Sequence, residues 1–193
     1  MRGPGAISGR SPARFRTMNV LILVAAVLFQ QQPATRPSTD ASAVAASRQA
    51  IIDVGTSVAE VRSALDLYRR AAFNSPNSVA VERAQVLRRR CAELDVAARA
   101  ARTRICLTCF AAAVQPAIEQ YRGGLVGAAQ LGARCAGTMA RRLQTDPTGA
   151  AARSDARSAS ELIVEGLRPY EDRVSGVRVA LGLEVAAPRR PRR

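Results

Sequence analysis

The segment Leu87–Leu143, LRRRCAELDVAARAARTRICLTCFAAAVQPAIEQYRGGLVGAAQLGARCAGTMARRL, holds all four cysteines and reads as two long helices folded back on each other at Gln115-Pro116. From Leu87 its small and apolar residues recur at Cys91, Leu94, Ala98, Ala101, Ile105, Thr108 and Ala112. Those steps of three and four keep one stripe along a helix. Pro116 suits the first position of the next helix, where its missing N–H would have no partner anyway. Beyond it the stripe resumes through Ile118, Tyr121, Leu125, Ala128, Gly132, Cys135 and Met139. Cys91 and Cys135 therefore both face inward.

Residues at one level of an antiparallel hairpin are equidistant from its turn. Cys91 and Cys135 are equidistant from Ala113, three residues before Pro116. Four cysteines allow three connectivities. Two of these join Cys91 to Cys106 or Cys109, roughly 22 Å or 27 Å along a continuous helix, whereas a disulfide holds its Cα atoms within about 7 Å. The expected pairs are Cys91 with Cys135 and Cys106 with Cys109. A corner at Gly123-Gly124 would instead put Cys109 opposite Cys135, leaving Cys91 and Cys106 on one helix without a partner in reach.

Upstream, Val44, Ser47, Ile51, Val54, Val58, Val61, Leu65, Tyr68 and Ala72 form an unbroken three-four alternation. Such a stripe suits a helix packed at a shallow angle in a bundle or coiled coil. Asp40 or Ser42 is placed to cap it. Asn74-Ser75-Pro76 stops that helix and restarts the chain, with Ser75 as cap and Pro76 in the first turn of a second helix from about Asn77. On the third helix Gly124, Ala128, Gly132, Ala136 and Ala140 recur every fourth residue, a spacing that lets a neighbouring backbone approach closely. Arg122, Arg134 and Arg141 argue against a membrane span there.

Asp146-Pro147-Thr148-Gly149 ends the third helix by turn chemistry. Ser158 with Glu161 fits a capping box for the last helix, unless the Ala-rich segment from Ala150 is already helical. Its stripe, Ile163, Leu167, Tyr170, Val174, Val177 and Leu181, runs on across Pro169, which predicts a kink rather than an end. The expected fold is all-α: an antiparallel bundle of about four long helices over residues 42–186, its two central helices disulfide-linked.

The chain of 193 residues suits one domain with a real core, built mainly from Ala and Val because aromatics make up only 4%. Arg2, Arg10, Arg14 and Arg16 precede the apolar run Val20–Phe29, the order of an export signal. Ten apolar residues are too few to span a bilayer. Met18 offers an alternative start. Residues 1–34 read as an export leader, 35–41 as a flexible tether and 187–193 as a disordered Arg-rich tail. The leader and the even cysteine count point to an oxidising compartment, periplasmic or extracellular, over the cytoplasm.

Net charge is +14, and all 29 basic residues are Arg. Absence of Lys beside so much Ala, Val and Gly reflects a coding bias, so the distribution says more than the total. Five Arg precede residue 40 and four stand at Arg189, Arg190, Arg192 and Arg193, leaving a mildly basic bundle between strongly basic ends. Arg88-Arg89-Arg90, with Glu93 nearby, reads as a solvated face with loose ion pairs rather than a binding patch.

The chain has no His, which removes the common Ser and Cys hydrolase triads, His-ligated zinc and bundle-core di-iron sites. One CxxC with Cys91 and Cys135 far off along helices does not converge on a metal. Cys106-Leu107-Thr108-Cys109 is the only motif with a reaction attached, thiol–disulfide exchange. In the last turns of a helix the dipole would oppose thiolate formation, so the pair reads as structural. Glu161 and Glu165 share a face near a helix start and there favour its dipole. Gly123-Gly124 has no strand before it and is no phosphate loop.

No catalysis, cofactor or metal is expected. The functional expectation is an exported, non-catalytic binding or scaffolding module of the cell envelope, engaging a protein partner or a second copy through a helix face. Two alternatives are a redox role for Cys106 and Cys109, and peripheral binding to an anionic membrane surface through Arg189, Arg190, Arg192 and Arg193. Few aromatics are available for base stacking, which disfavours nucleic acid.

Overall fold

The three-four stripes become the inner faces of four helices, which a computed structural model describes over residues 39–183. They are α1 (Thr39–Asn74), α2 (Asn77–Arg104), α3 (Gln115–Thr145) and α4 (Ala152–Ala180). Successive helices pack antiparallel, and α4 closes back onto α1. The leader 1–34 and the tail 187–193, with Arg189, Arg190, Arg192 and Arg193, lie outside the described residues. So does most of the 35–41 tether, although α1 already begins at Thr39. Asp40 and Ser42 thus fall inside its first turn rather than ahead of it.

Ser47, Ile51, Val54, Val58, Val61, Leu65, Tyr68 and Ala72 of α1 are buried, and Val44 is half-buried. Leu87, Cys91, Leu94 and Ala98 of α2 are fully buried, as are Ile118, Tyr121, Leu125 and Ala128 of α3. A core of such small side chains draws the helices close. The tightest approach to another helix's backbone is at Gly132, where a Cβ would stand 2.6 Å from the Asp95 backbone nitrogen and 2.7 Å from the Cys91 carbonyl oxygen. Only glycine lets α3 meet α2 at that level. Of the other small residues in that series, Gly124 lies under Tyr170 of α4, and Ala136 and Ala140 are only half-buried.

Three local expectations give way. The second helix stops at Arg104, so Thr108 and Ala112 are exposed in the loop 105–114 rather than on its stripe. Ile105 turns into extended backbone with φ −75° and ψ 109°, its side chain still buried. Ser75 does not cap α2: Pro76 holds that position, and its carbonyl accepts the Val79 and Ala80 N–H groups. Ser158 does not cap α4, which begins six residues earlier at Ala152, and its hydroxyl donates to the Ser154 carbonyl.

The start of α4 is organised by Asp146. Its carboxylate accepts the Ala150 N–H at 3.1 Å, the Ala151 N–H at 2.7 Å and the Thr148 hydroxyl at 2.9 Å. The Ala151 hydrogen bond, then that of Thr148, holds this carboxyl below the usual carboxylate range. Gly149 turns the chain at φ 72°, in the left-handed region glycine favours. Across Pro169 α4 stays helical, with Leu167, Tyr170 and Val177 buried on both sides of it.

Candidate functional site

Cys91 and Cys135, both on inward stripes, form a disulfide with Cα atoms 5.8 Å apart. The bond fixes the α2–α3 register one turn from the Gly132 contact. Cys106 and Cys109 form the second disulfide, with Cα atoms 5.5 Å apart. This pair sits in the connecting loop and not, as the stripe implied, in the last turns of a helix. It also lies outside α3, which begins at Gln115.

The loop is held from three sides. Ser47, buried on α1, donates its hydroxyl to the Ala43 carbonyl at 2.8 Å and accepts the Cys106 N–H at 3.0 Å. Leu107, Phe110 and Val114 lean on the core. From α3, the Gln115 amide donates to the Phe110 carbonyl at 2.9 Å. Both loop cysteines remain half-exposed, in contrast to the buried Cys91 and Cys135.

At the opposite end, the Tyr68 hydroxyl donates to the Ala152 carbonyl at 3.3 Å, and Arg142 pairs with the Asp155 carboxylate at 3.1 Å while donating to the Asp155 carbonyl at 2.6 Å. Burial, then the nearby Asp155 charge, pushes the Tyr68 phenol up to about 12. The cavity between these groups is about 10 Å³, room for no more than one water. In the core, the hydroxyls of Tyr121 and Tyr170 stand 3.5 Å apart, and burial raises both phenols. These polar groups close the bundle rather than open it to a ligand.

The open ground lies on the outer side of the α2–α3 contact. Gln85, Arg88, Arg89 and Ala92 of α2 face Ala136, Gly137 and Ala140 of α3 across a groove of about 600 Å³. Of the Arg triplet, Arg90 pairs with Glu60 of α1 at 3.2 Å and with Glu93 at 2.7 Å, as a solvated face should. Neither Arg88 nor Arg89 has a carboxylate partner among the described residues. Nearer the cysteine loop, the same two helices present a second recess of about 260 Å³, lined by Arg102, Glu119, Arg122, Gly123 and Val126. There the Arg122 Nε is buried without an acceptor among the described residues.

Arg88 and Arg89 lie on the outside of α2, as its stripe implies. The α3 wall of the groove becomes visible only once the disulfide register is known. Glu161 and Glu165 are exposed and stand well inside α4, so Asp155 supplies the first-turn carboxylate instead. No group of three or more His, Cys, Asp or Glu side chains among the described residues is placed to hold a metal ion. No helix among them is long and apolar enough to cross a membrane.

No protein-family model matches this chain, and neither a curated protein nor a solved structure matches it. The fold and its two bridges define the class: a disulfide-bridged, antiparallel four-helix bundle.

Proposed function

We propose that this chain is an exported, non-catalytic binding or scaffolding module of the cell envelope, working through an outer helix face. The observation that carries the reading is the pairing of all four cysteines into two disulfides, one buried and one half-exposed. Such bonds persist in oxidising compartments and are rare in the cytosol. An open groove on the α2–α3 face gives the module a surface to bind with.

Cell fractionation followed by peptide mapping without reduction tests this. The expected result is a chain outside the cytoplasm with Cys91 linked to Cys135 and Cys106 linked to Cys109. A cytoplasmic chain with four free thiols would overturn it.

One observation favours a second reading, thiol–disulfide exchange at Cys106 and Cys109: this bridge is half-exposed in a loop, within reach of an attacking thiolate. A reduction potential below about −300 mV would count against cycling.

A further inference from the structure

We infer that the outer α2–α3 face is the docking site for an acidic amphipathic helix of a partner protein, a proposal that rests on the binding-module reading above. Four observations converge on it. The floor of the groove is small and apolar, with Ala92, Ala136, Gly137 and Ala140 between the two helices. Val96, one turn beyond Ala92 on α2, is 66% exposed, more than any other large apolar side chain described. Arg88 and Arg89 flank the floor without carboxylate partners among the described residues, and Arg102 and Arg122 line the recess farther along. Finally, Gly137 opens onto the groove with no contact inside the bundle that requires glycine, as is also true of Gly55, Gly127 and Gly176 elsewhere.

A Cβ at Gly132 would strike the α2 backbone, so glycine is what the fold requires there. A Cβ at Gly137 would meet nothing nearer than Arg141 Nη1 at 3.8 Å. Glycine inside a helix is less stable than alanine there. At Gly137 the bundle receives no packing in return, whereas a helix laid in the groove could approach the α3 backbone there.

Charge selects the occupant. The chain's own remaining segments fit poorly, because residues 1–38 carry five Arg and no acid, and residues 184–193 carry four Arg and one acid. A second copy docking by the same face would bring a basic face to a basic face. A phosphate polymer or lipid headgroup would match the arginines but leave the Ala and Gly floor and the exposed Val96 uncovered. A helix with carboxylates along its edges and small apolar residues on its inner face satisfies both features. From Ala140 to Val126 the α3 wall is about 21 Å long, enough for roughly four turns of such a helix.

The test places a photocrosslinking side chain at Gln85 or Ala140 in the full-length protein in its host, with Val164 on the outer side of α4 as control. The expected products link the two groove positions, and not Val164, to one acidic amphipathic helix. A synthetic peptide of that segment should bind the purified, disulfide-bonded protein with affinity that falls as salt rises. Arg88→Glu with Arg89→Glu should weaken it about tenfold or more, an effect of ~1.4 kcal/mol. Gly137→Leu, whose Cβ meets no backbone of the bundle within 4 Å, should do the same. Circular dichroism and the disulfide map, unchanged in both variants, control for folding.

Crosslinks to lipid, polysaccharide, nucleic acid or a second copy overturn the proposal, as does a groove that crosslinks to nothing. An exported, correctly bridged chain with a silent groove defeats this inference alone. A cytoplasmic chain with free thiols defeats the reading beneath it.

Discussion

Ser47 on α1 accepts the N–H of Cys106 through its hydroxyl oxygen at 3.0 Å, tying the beginning of the bundle to the loop between its central helices 59 residues away. It is the only buried polar side chain among the described residues, apart from the tyrosines. The same hydroxyl donates to Ala43, so both of its hydrogen-bonding roles are used. Ser47→Ala would leave the Cys106 N–H without its acceptor. A donor stranded in a fully buried site costs about 1–3 kcal/mol, which is the upper bound for this half-buried one. Urea denaturation of the oxidised protein should show that loss, with both disulfides still formed. A change of only a few tenths of a kcal/mol would mean that water replaces the serine.

The two disulfides should contribute unequally. Cys91 and Cys135 are 44 positions apart and Cys106 and Cys109 only 3 apart. In the chain-entropy model the longer loop is worth roughly 4 kcal/mol and the shorter roughly 2 kcal/mol. Cys91→Ala with Cys135→Ala should therefore lower the urea midpoint about twice as far as Cys106→Ala with Cys109→Ala. A larger loss from the loop pair would contradict the view that the buried bridge holds the hairpin.

Ser47 also marks the limit of what could be read from the chain. Its place on the α1 stripe is visible in the three-four spacing, as are the inward positions of Cys91, Gly132 and Cys135 and hence the bundle and its register. The end of α2 is not visible in this way. In an Ala-rich segment the stripe runs on through Thr108 and Ala112 by composition alone. The feature that holds the chain after Arg104 is a hydroxyl delivered from another helix. The start of α4 is ambiguous for a similar reason: Ser158 and Glu161 have the spacing of a capping box within an Ala-rich segment that is helical from Ala152, and Asp146 holds the Ala150 and Ala151 N–H groups just ahead of it. The groove needs two helices in register, so only Arg88 and Arg89 were legible beforehand.

Alkaline pH should unfold the bundle through its tyrosines. In the unfolded chain a phenol ionises near 10, whereas burial and the Asp155 charge hold the Tyr68 proton until about 12. The unfolded state therefore binds fewer protons between these values, and folding stability is complete below pH 10 and declines as pH rises toward 12. The slope from Tyr68 approaches about 1.4 kcal/mol per pH unit. Tyr121 and Tyr170, raised by burial in the core, act in the same direction. Tyrosinate absorbance and helical ellipticity should change together in an alkaline titration. Phenols that titrate near pH 10 while the helices stay intact would show that the core admits water.

Gly132 and Gly137, five residues apart on α3, should respond to alanine with opposite signs. At Gly132 the new Cβ would lie 2.6 Å and 2.7 Å from backbone atoms of α2, beside a disulfide that prevents the two helices from separating. The gain in helix propensity is about 1 kcal/mol. Overpacking against backbone costs about 1–3 kcal/mol or more, and here it has no flexible side chain to absorb it. Gly132→Ala should therefore lower the melting temperature despite the better helix former. At Gly137 nothing opposes the propensity term, and Gly137→Ala should raise stability by about 0.5–1 kcal/mol. Thermal melts of the two variants beside the parent protein decide the matter. If both substitutions stabilise, α2 and α3 are not in backbone contact at Gly132. If both destabilise, Gly137 is covered within the bundle itself, and the groove on that face is closed.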